Sequence, residues 1–168
     1  MKLPSNVVQA SLWHMLHVAE GMREDEIEQY LALSGADSFD PNDVAASLWL
    51  KHGCAFSVLN DKGLPVICGG YYPSTPGLWH SWAIGTYEGW EKHWRAATKA
   101  TRALIQELFD NGARRLETVC LASREEANHW HTKGLGLQLD DVWHNYGAHG
   151  EDVRLYAISR RKDHGHPE

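Results

Sequence analysis

Eleven histidines and three cysteines are the residues that could hold a metal or attack a substrate, and their spacing argues against both. His129 and His131 fall on a stretch with helical period, where residues two apart point away from each other and do not share one ion. His52 and Cys54 straddle the start of an apolar run, His144 and His149 flank a turn, and His164 and His166 lie in a charged tail. No pair has zinc-ligand spacing with a third partner close by, so no metal centre is expected. Cys54, Cys68 and Cys120 are widely separated, each inside a strand-like apolar run, the usual surroundings of buried free thiols. There is no Gly-x-Ser-x-Gly elbow for a serine nucleophile and no Walker loop. One basic series remains: Lys92, Arg95, Lys99 and Arg102, at helical spacing. Such a series either contacts phosphates or forms the wet side of an amphipathic helix. Glu88 and Glu91 beside its start favour the second reading, because carboxylates at a helix N-terminus stabilise the helix and repel a diphosphate.

The elements that position these residues centre on Ser81 to Leu121. Trp82-Ala83-Ile84 closes a strand, Gly85 to Gly89 breaks it, and a helix is predicted from Trp90 to Asp110 from the spacing of Trp90, Trp94, Ala97, Thr101, Leu104, Ile105 and Leu108. Asn111-Gly112 ends that helix, and Leu116 to Leu121 is a β-rich run. Strand, helix and strand in this order make a parallel pair with a crossover, and ligands of α/β folds sit at the strand–helix junction. Upstream, helices are expected over Asn6–Ala19, Met22–Leu33 and Val44–Leu50, the last with Asp40 as cap and Pro41 in its first turn. Strands follow at Cys54–Leu59, Leu64–Tyr72 and Leu78–Ile84. Downstream come a helix from Ser123 to about Lys133, then strands Leu135–Trp143 and Val153–Ser159 joined by the polar turn Tyr146–Asp152. Residues 160–168 are expected to fray.

The chain's 168 residues suit one domain with a real core, and a 43% hydrophobic, 23% charged composition fits a soluble globular class. A net charge of −6 argues against nucleic acid, which selects a basic face. No run approaches a membrane span and no signal-peptide pattern opens the chain, so neither membrane insertion nor secretion by that route is expected. Eight tryptophans are the compositional oddity, useful in cores and interfaces alike.

The predicted fold class is α+β: a mixed, mainly antiparallel sheet with one parallel crossover pair and helices on both faces, in a single domain over residues 1–168. From roughly Leu12 to Ser159 this element order resembles the GNAT (N-acyltransferase) superfamily. The segment Ala127-Asn128-His129-Trp130-His131-Thr132-Lys133-Gly134-Leu135 resembles the GNAT helix that ends in an aromatic, three residues, Gly and an apolar residue. Met22-Arg23-Glu24-Asp25-Glu26-Ile27 resembles the opening of a GNAT-like family of internal virion proteins in short-tailed phages.

The superfamily resemblance implies two strands that part to admit the pantetheine arm of acetyl-CoA, and a diphosphate resting on a Gln/Arg-x-x-Gly-x-Gly/Ala loop at a helix N-terminus. On this chain it implies Ala83, Ile84, Lys92, Arg95 and Lys99 as cofactor contacts. His80 or Glu28 would be the base, and Tyr146 the acid in place of Trp130, whose indole N–H does not ionise near neutral pH. The matching window Glu91–Lys99 has no glycine. The resemblance to the phage family, with that loop and acid altered, implies a non-catalytic internal virion or accessory protein without a cofactor. It would bind other virion or host proteins, in the virion or host cytoplasm. The alternative it implies is an N-acyltransferase moving an acetyl group from acetyl-CoA to an amine through a non-standard site.

Overall fold

A computed structural model describes residues 2–160. A seven-stranded sheet runs through the molecule in the order β1-β2-β3-β4-β5-β7-β6. Its strands are β1 (Val7–Gln9), β2 (Cys54–Leu59), β3 (Pro65–Thr75), β4 (Leu78–Gly85), β5 (Arg115–Leu121), β6 (Gln138–Trp143) and β7 (Val153–Ser159). Among the described residues only β4 and β5 pair in parallel; every other neighbour is antiparallel. The α+β architecture expected from the element order is therefore the one found.

Helices α1 (Leu12–Glu20), α2 (Glu24–Ser34) and α3 (Pro41–Trp49) cover one face. There Met15, Val18, Ala19, Val44 and Ala45 bury against Cys68 and Ile84. Helix α4 (Tyr87–Lys92), the long α5 (Trp94–Asp110) and α6 (Glu125–His129) cover the other, with a π-helical turn at Trp130–Gly134. Ala97 and Ala100 of α5 pack on Phe56, Val58 and Ile67, while Ile105 and Leu108 pack on Tyr71, Leu116, Cys120 and Tyr156.

Several boundaries differ from expectation, three of them with a clear cause. The helix expected from Asn6 begins only at Leu12, because Val7–Gln9 pairs with Val58–Phe56 as an edge strand. Ser11 then caps α1, its hydroxyl accepting from the His14 N–H at 3.2 Å. The helix expected over Trp90–Asp110 is two helices broken at His93. The last strand pair starts at Gln138 rather than Leu135, after Gly136 turns the chain at φ +76°. Of the tail expected to fray (160–168), only Arg160 falls within the described residues, donating its N–H to the Arg114 carbonyl at 2.9 Å; His164 and His166 lie outside them. Among the described residues, no helix is long and apolar enough to cross a membrane.

Candidate active site

Pairing between β4 and β5 is limited to Leu78↔Arg115, Trp79↔Leu116 and His80↔Glu117, although β4 runs on to Gly85 and β5 to Leu121. On their outer edges both strands stay paired to the end, Gly85 with Ile67 and Leu121 with Val153. The two therefore diverge from Ser81 and Thr118 onward, each held by its other neighbour, and open a V in the middle of the sheet. Backbone alternation shows which groups face this gap. The Thr86 N–H turns to β3, donating to the Val66 carbonyl at 2.9 Å. Gly85 turns the other way: its N–H donates to Glu26 Oε2 at 2.8 Å and its carbonyl accepts the Arg23 N–H at 3.3 Å. With a period of two, the N–H and C=O groups of Ala83 and Ser81 point into the V.

A cavity of about 1310 Å³ fills the gap and reaches both faces of the sheet. The divergent strands contribute Ser81, Ala83, Ile84, Thr118 and Val119. On the α5 side its walls include Trp90, Trp94, Trp130 and Lys133; on the α2–α3 side they include Tyr30, Leu48, Lys51 and Tyr72. This exceeds the roughly 300–1,000 Å³ of common small-molecule sites, which leaves room for two reactants meeting through the sheet.

Helix α2 braces the wide end of the V. Besides holding Gly85, it reaches β5 through Gln29, whose Oε1 accepts from the Leu121 N–H at 3.0 Å and from Arg124 at 2.9 Å. Arg124 also donates to Asp25 at 2.8 Å. Glu26, Gln29, Tyr30 and Leu33 recur at helical spacing and all line the cavity. Glu26 is 5% exposed. Its Oε1 accepts from the Trp90 indole at 2.6 Å and lies 3.7 Å from both Arg23 and Arg124. Burial pushes this carboxyl up to about 7, against the pull of the Gly85 N–H, the two guanidiniums and the Trp90 N–H.

The break at His93 follows from this arrangement. Trp90 lies flush on the end of β4, where a Cβ on Gly85 would run into the indole nitrogen. Its ring meets Trp130 edge to face at 5.4 Å, and Trp130 donates to the Thr98 hydroxyl at 2.8 Å. Helix α5 then restarts at Trp94 with no side chain capping its N-terminus. Read one residue further than Lys99, Arg95-Ala96-Ala97-Thr98-Lys99-Ala100 keeps the Arg and the final Ala of the GNAT loop pattern, with Thr98 at the middle glycine. The Thr98 side chain does not fill the mouth: it is 6% exposed, and its hydroxyl donates to the Trp94 carbonyl at 2.8 Å.

The expected site residues scatter. Ala83 and Ile84 line the cavity. Lys92, Arg95 and Lys99 are exposed and outside its lining, on the side of the helices opposite the buried Ala97, Thr98, Ala100 and Thr101. Arg95 lies over the Trp94 ring at 4.6 Å. Arg102 donates to the Gly134 carbonyl at 2.8 Å, tying α5 to the π-helical turn. His80 sits at the vertex of the V with its Nδ1 3.2 Å from Glu117, a carboxylate also held by Arg115 at 2.8 Å, but it does not line the cavity. Glu28 faces solvent, about 200° around α2 from Glu26. Tyr146 is 59% exposed and packs on Trp143 at 4.8 Å in the β6–β7 loop, away from the cavity lining. His129 and His131 both line the cavity; burial holds His131 down at about 4, a neutral imidazole. Among the described residues, no three His, Cys, Asp or Glu side chains come together as a metal would need.

No family model and no curated protein matches this sequence. Solved structures do match. A GNAT-family acetyltransferase from Bacillus anthracis superposes with a TM-score of 0.71 at 14% identity, covering 95% of this chain and 97% of that one. A ribosomal-protein-alanine N-acetyltransferase from Brucella melitensis gives 0.70 at 13% identity, covering 92% and 99%. A spermidine N-acetyltransferase mutant from Vibrio cholerae gives 0.65 at 10%, covering 91% and 94%. None of these similarities links the chain to internal virion proteins. At these identities the likeness speaks for architecture, and the architecture is that of the GNAT acetyltransferases.

Proposed function

We propose that this protein is an acyl-CoA-dependent N-acyltransferase, with acetyl-CoA the simplest donor. One observation carries the reading: β4 and β5 part beyond His80 and Glu117 around a cavity that crosses the sheet, with the backbone of Ser81 and Ala83 turned into it. The sequence-based preference for a non-catalytic scaffold rested on a window, Glu91–Lys99, without the glycines of the phosphate loop. Thr98 is folded away against Trp94 and Trp130, and the slot stays open. Nothing in the similarities supports a virion role.

The residues present suit such a donor. The exposed edge of β4 offers alternating N–H and C=O groups to a pantetheine amide, as a neighbouring strand would. The uncapped first turn of α5 offers backbone N–H groups and a positive dipole end to phosphates, with Lys133 also lining that side of the cavity. Acetyl-CoA would supply a thioester, whose acyl carbon an amine attacks, the carbon–sulfur bond breaking as CoA leaves as the free thiol. Glu26 is placed to take the amine's proton: it lines the cavity, and a carboxyl that titrates at about 7 is matched to base work near neutral pH. His80, outside the lining, is held as the structural partner of Glu117 at the vertex.

Isothermal titration with acetyl-CoA tests the donor site, and thermal melting gives a second readout. A ligand at about 100 times its Kd stabilises by about 2.7 kcal/mol, which raises the Tm by several degrees. Absence of both heat and shift at millimolar acetyl-CoA removes the reading.

A further inference from the structure

On the α2–α3 face, where the acceptor amine must approach if the donor enters beside α5, the charges are unevenly committed. Arg23 is paired with Asp25, Glu26 and Glu126, and Arg124 with Asp25 and Glu26. Lys51 also lines the cavity, yet has no carboxylate partner among the described residues; its ammonium rests over the Tyr72 ring at 4.2 Å. A cation–π contact of this kind localises the nitrogen and leaves N–H donors for an anion.

The turn that carries Lys51 is built, not loose. Its N–H donates to the Leu48 carbonyl at 3.2 Å, closing the end of α3. His52 then takes φ +49°, and Gly53 follows where any Cβ would overlap the Tyr71 carbonyl oxygen of β3. Tyr72 is fixed in turn by His80, ring to ring at 5.5 Å. Lys51 stands over Tyr72, the partner of His80, whereas Glu26 holds Gly85, five residues further along β4; Tyr30, Leu48 and Trp82 add aromatic and apolar surface to the same cavity.

We infer that the acceptor is an amine that also carries a carboxylate: its amino end is drawn to Glu26, its carboxylate to Lys51, and its apolar body lies along Tyr30 and Trp82. This rests on the acyltransferase reading and narrows it. A short peptide with a free C-terminus has this form; an α-amino acid carries both charges on one carbon and cannot reach from Glu26 to Lys51, and a polyamine would bring a second cation to Lys51.

Thiol release from acetyl-CoA tests the inference, using the full chain and a panel of Leu-Leu, Leu-Leu-Leu, their C-terminal carboxamides, leucine and spermidine. The free peptide acids are expected to exceed their amides at least tenfold in kcat/KM, and leucine, too short to span the two groups, should be the poorer acceptor; leucine as good as Leu-Leu would overturn the inference. Lys51→Ala should collapse the acid-to-amide ratio to about one through KM, and Lys51→Glu should turn preference toward spermidine; unchanged melting curves for both variants show that they fold. Amides equal to acids, spermidine as the best wild-type acceptor, or a ratio unmoved by Lys51→Ala would overturn it. Calorimetric binding of acetyl-CoA without turnover of any of these amines overturns the acceptor assignment alone; no binding removes the acyltransferase reading together with it.

Discussion

Glu26→Gln isolates the residue on which both the brace and the proposed proton transfer depend. Its carboxyl is raised from an ordinary 4.5 to about 7, so between those pH values the native state holds a proton that the unfolded chain has released. Stability contributed by this group therefore falls as pH rises through the window. The gap from 4.5 to about 7 is worth roughly 3 kcal/mol. His131 acts in the opposite sense. Burial lowers it from 6.5 to about 4, so its contribution is present above 6.5 and lost as pH falls toward 4. Across their overlap the two nearly cancel, and the wild-type curve should be flat as far as these groups are concerned. Glutamine keeps one acceptor for the Gly85 and Trp90 N–H groups but sets a donor against the other, a pH-independent cost of about 1–3 kcal/mol. The change of the difference with pH is thus the diagnostic quantity. Relative to wild type, the variant should gain roughly 3 kcal/mol between pH 4.5 and 8, about 6–12 °C in Tm for a chain of this size. Urea and thermal melts of both proteins over that range read it directly. Parallel wild-type and variant curves would refute the placement of a near-neutral carboxyl at Glu26.

Other perturbations follow from the same geometry. His131→Phe should remove the acid-side loss, making the variant relatively more stable as pH falls from 6.5 to 4; equal slopes in denaturant titrations would contradict a buried neutral imidazole. Gly85→Ala should drive the Trp90 indole off Glu26 at a cost of about 1–3 kcal/mol, seen as a lowered urea midpoint with a shifted tryptophan emission. Thr98→Val leaves the Trp130 N–H without its acceptor, and should cost about 1–3 kcal/mol while barely changing volume; a neutral effect on melting would mean that Trp130 does not depend on that bond.

Most of the fold was legible because it rests on periodicity. The α5 stripe through Ala97, Thr101, Ile105 and Leu108 and the apolar, turn-bounded runs of β2 to β4 are written locally. Val7–Gln9 was not, since a three-residue strand has no period of its own and exists through its pairing with β2. The break at His93 was hidden as well: Trp90 and Trp94 keep helical spacing across it, and the cause is the long-range bond from Trp90 to Glu26. The site was less legible than the fold. Glu24, Glu26 and Glu28 look alike as acids near the start of one helix, and only the docking of α2 on Gly85 and Leu121 selects Glu26. His80 stood out by type and neighbourhood, yet Ser81, the next residue, is where the strands part. The glycine pattern misled in the other direction, because what matters at Thr98 is where its side chain goes, and a hydroxyl bonded to Trp94 and Trp130 is out of the way.

The most direct measurement is amide hydrogen exchange at single residues of β4, by NMR, with and without acetyl-CoA. Ser81 and Ala83 face the slot and should become protected on binding, whereas Trp82 and Ile84, already turned toward β3, should change little. Saturating acetyl-CoA that leaves Ser81 and Ala83 exchanging as before would contradict the assignment of the V as the acyl-donor site.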